Sequence, residues 1–449
     1  MKLSQLTVAA AGAMSLCLAA SAANAADYLI GSKGANQKGL EAQVAEAGGT
    51  LTRSFPFGLA VASSDDPEFA SKLQGIANIQ FAVEDVGFDV EFEAPPIPAD
   101  FGYPPNSGDD DFFFDLQWGH NYVGAQEAWT NGHFGQGVNV AVLDGGFDLD
   151  HPDIAPNLYM WEDITGQGIE FETTCPGNPF SHGNHVAGTI AAADNAFGTI
   201  GVAPQANLML VKVLQDTPPP ACSGSGSFID IITGIVFATD NGAHVINMSL
   251  GTVIPRQGLG GDNRFVSELK NAVNKAITYA HQNGTTVIVS AGNAGSDLDG
   301  GDKGAVRFNT GMSHAVGISA LAPQNWAGEG GGPLYPAGYT NFGTSMVDFG
   351  APGGDVAYPG NEGCVVAGLA RPCWVFDLVF STGSNGSWYW SAGTSMAAPH
   401  AAGVAALIIS ETGDSRPDQV IREMRARATD AGKPGRDDYY GFGIANSGN

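Results

Sequence analysis

Charge is what this chain has least of. Only 14% of its 449 residues are Asp, Glu, Lys or Arg, against roughly 25% in ordinary soluble domains. The basic residues are the scarce ones: 19 Lys and Arg stand against 46 Asp and Glu, a formal net charge of −27. Binding a phosphate backbone takes many Lys and Arg, so a nucleic-acid partner is excluded. The acidity is read as solubility in a salty or calcium-containing medium, because net charge governs solubility and encounter rather than fold. Long apolar runs are lacking too. No segment beyond the N-terminus approaches the roughly 20 apolar residues of a spanning helix, so no membrane partner is expected. Cysteine is sparse, with five in all, and none falls in a C-x-x-C spacing, which argues against a thiolate metal site.

What is present starts with an export signal. Lys2 is followed by the apolar LTVAAAGAMSLCLAA and by the small-x-small pattern Ala23-Asn24-Ala25. This predicts a signal peptide over 1–25, cleaved on export to the periplasm or the medium. Cys17 leaves with it. The four remaining cysteines allow three pairings. Cys364 and Cys373 close a short local loop and are expected to bond; Cys175 with Cys222 then follows by elimination.

Residues 26–92 read as a small module. YLIGS, GTLTRSF, LAVASS and IQFAVED have strand character, and QKGLEAQVAEAG and PEFASKLQGIA have helix character. The order β-α-β-β-α-β predicts a ferredoxin-like α+β fold. A linker follows over 93–111, EAPPIPADFGYPPNSGDDD, too rich in Pro, Gly and Asp for packed structure. From 112 to 449 the pattern changes. VNVAVLD, NLMLVKVL, HVINMSL and TVIVSAG are nearly continuous apolar runs, as strands covered on both faces require. Helical patterns lie between them. Alternating strand and helix predicts an α/β fold, a three-layer sandwich around a mostly parallel sheet.

In such sheets sites form beyond the carboxyl ends of the strands. There the sequence places Asp144, then Ser249, Leu250 and Gly251, then Asn293. Ser395 opens the small-residue segment SAGTSMAAPHAAGVAALIIS, and His182 opens SHGNHVAGTIAA. A serine hydroxyl is a weak nucleophile until a base takes its proton, and a carboxylate holds the base's tautomer. Each residue alone also has a plain structural reading: Ser395 as a helix cap, Asp144 and Asn293 as turn residues. His182 with His185 as a metal pair is disfavoured, since HGNH is not H-E-x-x-H. His400 reads as structural.

VAVLDGGFDLDHPDI, SHGNHVAGTIAA, NMSLG, IVSAGNAG and SAGTSMAAPHAAG together resemble the motifs of the subtilisin-like serine proteases, in the same order and across roughly 115–445. The resemblance implies a secreted serine endopeptidase acting on polypeptides. In it Asp144 orients the base, His182 is general base and then acid, and Ser395 forms the acyl-enzyme. Asn293 and the Ser395 N–H would face the oxyanion. Gly224, Ser225 and Gly226 would pair with an extended substrate, with Ser249, Leu250 and Gly251 opposite. Gly251 and Gly292 would leave room for the primary side chain, and Phe228 and Ile231 would line a second, apolar subsite. Asp153 and Asn195 match positions that hold a structural calcium, with Gln117 a further candidate. The module over 26–92 resembles the propeptide that assists folding, inhibits and is cut away in the linker. A monomer is expected.

Three features depart from the family's pattern. Gly145 follows Asp144 where Ser or Thr is usual, Asn184 stands for Thr in HGTHVAG, and KGAVRFNTGMSHAVGISA lacks a Tyr-Pro, which alters one wall of the specificity pocket. WAGEGGGPLYPAGYTNFG, within 326–343, reads as a Gly-rich surface loop. Two alternatives stay open at this point: a sedolisin-like acid peptidase, against which His182 and Asn293 speak, and a non-catalytic secreted binding protein on the same scaffold.

Overall fold

The computed structural model describes residues 25–35, 37–90, 97–98, 109–170, 180–216, 224–251, 253–255, 263–299, 305–308 and 310–448. Residues 1–24 of the expected signal peptide, most of the expected linker, Cys175 and Cys222 lie outside them.

The small module follows its pattern: β1 (Ala26–Ser32), α1 (Leu40–Glu46), β2 (Thr50–Phe55), β3 (Leu59–Ser64), α2 (Phe69–Gln74) and β4 (Ile79–Glu84). Its four strands pair antiparallel in the order β2-β3-β1-β4. Alternation sends successive side chains to opposite faces, and both faces are used. Tyr28, Ile30, Ala60, Ala62 and Ala82 pack under the helices with Leu40, Val44, Phe69 and Leu73. Leu29, Phe55, Val61, Phe81 and Val83 join the core of the larger domain instead. Two short strands then leave the module: β5 (Gly87–Val90) and β6 (Ile97–Pro98).

The larger domain begins with the short helices α3 (Gly119–Tyr122) and α4 (Ala125–Thr130). Its first half then runs β7 (Asn139–Asp144), β8 (Leu158–Asp163), α5 (His182–Ala191), β9 (Asn207–Lys212), β10 (Leu214–Asp216), β11 (Gly224–Ser227), α6 (Phe228–Asp240), β12 (Val245–Met248), β13 (Val253–Pro255) and α7 (Asn263–Gln282). The second half is β14 (Thr286–Ser290), β15 (Ala305–Arg307), β16 (Ala315–Ala322), α8 (Trp326–Glu329), β17 (Tyr335–Pro336), β18 (Phe349–Pro352), β19 (Gly363–Val366), β20 (Leu369–Pro372), β21 (Val379–Thr382), β22 (Trp388–Ser391), α9 (Thr394–Thr412) and α10 (Pro417–Arg427). The main sheet has the order β17-β16-β14-β12-β7-β9-β8, with β18 also beside β16. All its pairings are parallel except that of β17.

Strand β7 shows why its sequence is apolar throughout. Val140 and Val142 belong to the core under α5 and α9, with Val186, Ile190 and Val404. Ala141 and Leu143 belong to the core under α6 and α7, with Ile232, Ile235, Leu269 and Val273. The expected three-layer α/β sandwich is what forms.

Cys364 and Cys373 are bonded, tying the start of β19 to the residue after β20. The Gly-rich stretch 326–343 is not simply a surface loop: Leu334, Ala337, Thr340 and Asn341 are buried. Among the described residues no helix is long and apolar enough to cross a membrane.

Candidate active site

Three strand ends and two helix starts meet at one edge of the sheet. Asp144 is the last residue of β7 and fully buried. Its Oδ1 accepts the Gly145 N–H at 2.7 Å. His182 is the first residue of α5, whose cap is Ser181: the Ser181 hydroxyl accepts the Asn184 N–H and donates to Gly146 O at 2.8 Å. This fixes the helix start against the turn after β7. The His182 Nδ1–H donates to Asp144, 2.8 Å to Oδ1 and 3.0 Å to Oδ2. A carboxylate can only accept, so Nδ1 carries the proton and Nε2 is left as the basic nitrogen.

Asn184, two residues on, makes three buried bonds. Its Oδ1 accepts the Asp148 N–H at 2.9 Å, and its Nδ2 donates to Asp148 O at 3.3 Å and Gly383 O at 2.7 Å. A Thr hydroxyl has one proton and could not bridge both carbonyls. The departure from HGTHVAG therefore clamps the histidine helix to both neighbouring loops.

Ser395 is the second residue of α9 and 6% exposed. Its hydroxyl donates to Ser249 O at 3.3 Å, rather than to the imidazole, and Ser249 Oγ donates back to Ser395 O at 2.8 Å. Asn247 Nδ2 in turn donates to Ser249 Oγ at 2.9 Å. The segment Ser249, Leu250, Gly251 is thus stitched to the serine. Catalytic hydrogen bonds without substrate are commonly long and tighten only in the complex. Asn293 follows β14. Its Oδ1 accepts both the Thr394 N–H and the Thr394 hydroxyl, at 2.9 and 2.8 Å. With the oxygen so engaged, the NH₂ end is the part that can meet an oxyanion. Gly292 sits at φ 94°, in the left-handed region, and its N–H donates to Thr394 Oγ1 at 2.9 Å.

Sequence reasoning missed Asn341, which is buried within the stretch read as a loop. Its Oδ1 accepts the N–H groups of Ala294 and Ser296, and its Nδ2 donates to Ala291 O. It holds the turn that carries Asn293. His400 is structural as expected: buried, with Nδ1 bonded to Met396 O and its pKa pushed down to about 3 by burial.

The predicted substrate strand is β11. Gly224, Ser225 and Gly226 lie between β10 and β5, antiparallel to both. Gly226 faces Phe88, and a Cβ there would come within 2.7 Å of the Phe88 ring. The Phe88 ring packs 5.1 Å from Phe228, which lies 4.6 Å from Phe308. Ile231 and Leu250 are buried in the same cluster.

Asp153 and Asn195 also converge. Asp153 is fully buried; its Oδ2 accepts from Thr199 N–H, Thr199 Oγ1 and Trp388 Nε1, while Oδ1 has no partner. Burial raises its pKa to about 6. Asn195 Nδ2 donates to Pro152 O at 3.3 Å. Gln117 is engaged elsewhere, both ends of its amide bonding the backbone of Ile200. Asp111 lies against the same loop: it is fully buried, its Oδ1 accepts the N–H groups of Asn195 and Phe197, and its Oδ2 has no partner. Burial, and then the neighbouring Asp109, raise the Asp111 carboxyl to about 8. Separately, a cavity of about 620 Å³ lies among Phe114, Gln117, Trp118, Trp129, Phe134 and Trp326, and none of the nucleophile, base or oxyanion candidates lines it.

Comparison with known proteins decides the lineage. The profile described as the subtilase family matches residues 135–443. The chain belongs to the subtilase family. This subtilase is 31% identical to subtilisin E of Bacillus subtilis over 409 residues, 90% of this chain and 83% of the relative. It is 34% identical to a subtilisin of Bacillus pumilus over 336 residues, 74% of this chain and 97% of the relative. Among solved structures, the epidermin leader peptide processing serine protease of Staphylococcus aureus superposes with a TM-score of 0.71 at 20% identity, covering 94% of the subtilase and 97% of that chain. The subtilase is therefore a serine-type endopeptidase, which removes the non-catalytic reading.

Proposed function

We propose that the subtilase hydrolyses peptide bonds through an acyl-enzyme on Ser395. In this reading His182 Nε2 takes the Ser395 proton as Oγ attacks the carbonyl carbon. The same imidazolium then gives that proton to the leaving amine. A water, deprotonated by His182, attacks the ester carbonyl and releases the acid. Asp144 holds the tautomer, and Asn293 with the Ser395 N–H receives the oxyanion. The observation that carries the reading is the buried Asp144–His182 bond at the sheet edge that also holds Ser395 and the clamped Asn293.

The reading extends to the N-terminus. Residues 1–25 direct export, and 26–92 act as folding aid and inhibitor. The pairing of β5 with β11 is the contact an extended peptide would make there. Cleavage frees the mature enzyme, which acts as a monomer on polypeptides outside the cell. Calcium fits the pocket at Asp111, Asp153 and Asn195. Two buried carboxylate oxygens without partners, on side chains that both bond to the loop 195–199, suit a hard cation with oxygen ligands. When bound, the ion supplies structural stability.

Labelling with a fluorophosphonate probe tests the mechanism. Wild type is expected to label and Ser395→Ala to remain unlabelled and inactive on casein. Label on another serine, or casein hydrolysis by Ser395→Ala, would overturn it.

A further inference from the structure

A buried lysine stands beside the acid–base pair, and the mechanism above leaves it unused. Lys212 is the last residue of β9 and 1% exposed. Lysine is almost never fully buried without a partner. Its place is set by register: Asp144 of β7 and Lys212 of β9 are direct neighbours in the parallel pair. Alternation decides the face. Val142 of β7 and Leu210 of β9 belong to the core under α5 and α9. Asp144 and Lys212, each two residues further on, belong to the same face, where α5 begins with His182. A cation and the carboxylate of the acid–base pair are thus side by side, away from water.

The lysine has a fixed partner. Its Nζ donates to Asp216 Oδ2 at 2.7 Å, and the Asp216 side chain is only 11% exposed. Asp163 of β8 is opposite Lys212 on the other side. Its oxygens are engaged by the turn that follows, where they accept the N–H groups of Thr165, Gly166 and Gly168. Asp216 has a second bond to make. The Gly146 N–H is directed at its carboxylate, while Gly146 O accepts from Ser181, the cap of the His182 helix. In register, Asp216 also pairs with Gly224, the first residue of the substrate strand β11. Burial raises the Asp216 carboxyl, and the Asp144 charge adds to that; the Lys212 bond and charge and the Gly146 N–H oppose it. The charged groups around Asp144 and Lys212 are therefore Asp163 on β8, Asp216 on β10 and His182 on α5. On the β12 side of β7, the residue opposite Val142 is the neutral Asn247.

Taking the Ser395 proton turns His182 into a cation, so any charge nearby biases that step. Lys212 alone would oppose it, and Asp216 alone would hold the imidazole protonated and useless as a base. Bonded together they largely cancel at the imidazole. We propose that Lys212 and Asp216 form the positioning pair of this site: they brace the turn after Asp144 and, through Gly146 and Ser181, the start of the His182 helix, without adding net charge beside the base. The inference rests on the serine-protease reading and deepens it.

The test is the pH dependence of kcat/KM on a peptide p-nitroanilide ending in Phe, using the self-processed protein. The acid limb reports the base of the free enzyme. Lys212→Met leaves Asp216 near the imidazole and should move the limb to higher pH. Asp216→Asn leaves Lys212 and should move it to lower pH. The two limbs are expected about one pH unit apart, the effect of single charges at close range. A merely structural role would shift neither limb, or both alike. Coincident limbs in active protein overturn the proposal and leave the protease reading standing. A wild type that neither hydrolyses the anilide nor takes the fluorophosphonate label overturns both. Removing one partner of a buried pair strands a charge. Should the single variants fail to fold, the double variant Lys212→Met with Asp216→Asn decides, because it strands none. Its limb is expected at the wild-type position, with kcat about tenfold lower and KM little changed as the brace is lost. Wild-type kcat in the double variant overturns the proposal.

Discussion

At the scale of single residues, the site divides into groups that do chemistry and groups that hold them. Asn293→Ala should lower kcat by about 10²–10³ with KM little changed, the cost measured for the corresponding donor in a subtilisin. Steady-state kinetics checks it, and an unchanged kcat would remove Asn293 from the oxyanion site. Asn341→Ala strips the N–H groups of Ala294 and Ser296 of their acceptor. Each buried group left unsatisfied costs about 1–3 kcal/mol, so a thermal melt should show clear destabilisation and the assay a fall in kcat of about tenfold. Asp144, His182, Asn293 and Ser395 were legible because each sits in a recognisable run. Asn341 and Asp111 were not. Their partners lie 47 and 84 positions away, and an Asn in Tyr-Thr-Asn-Phe-Gly or an Asp in a run of three carries no local period. Gln117, a further candidate by resemblance alone, has both ends of its amide bonded to one backbone residue.

At the scale of elements, the major strands and helices were readable from apolar runs and their spacing. Strand β5 was not, because its four residues only become a strand on pairing with β11, far along the chain. Asp85, just ahead of it, reaches across to the start of α6, where its Oδ1 accepts the Phe228 N–H at 3.2 Å. Burial raises its pKa to about 6, against hydrogen bonds from Ser227, Ile229, Phe228 and Val86 that favour the charged form. Asp230 stands beside it and is likewise raised to about 6, by burial first and then by the Asp85 charge, with Arg53 opposing. The docked state thus binds protons more readily than one in which these carboxylates regain water and the ordinary Asp value of 3.8. The proton-linked part of the docking energy is complete below about pH 4 and is lost as pH rises through about 6. For one buried carboxyl, a rise of this size corresponds to about 3 kcal/mol, or about a hundredfold in affinity. The cleaved complex should therefore release its N-terminal domain faster at pH 7.5 than at pH 5, read as the rise of activity with time. Asp85→Asn should flatten that difference; equal release at both values would dismiss the pH dependence.

For the molecule as a whole, the two cores on either face of the sheet explain why composition and periodicity were enough to give the architecture. Apolar strands with helices between them leave few other arrangements. They could not reveal that one face of the N-terminal sheet completes the second core, since an amphipathic strand does not say what covers it. The calcium proposal belongs to this scale too. Chelation should lower the melting temperature of the inactive Ser395→Ala protein by about 5 °C or more: at a hundred times its Kd a ligand contributes about 2.7 kcal/mol, and each kcal/mol moves a chain of this size by about 2 °C. Asp111→Asn should blunt the response, and indifference to both chelator and calcium would discard the site. Finally, the strand β5 that pairs with β11 is supplied by the same polypeptide. On the proposed reading of this module as inhibitor, its local concentration is fixed by tethering while the backbone is intact, and no dilution can relieve the blockade. Once that link is cut, occupancy follows mass action. A dispersed enzyme would then switch itself on and a crowded one would stay quiet, so leaving the cell would itself serve as the trigger.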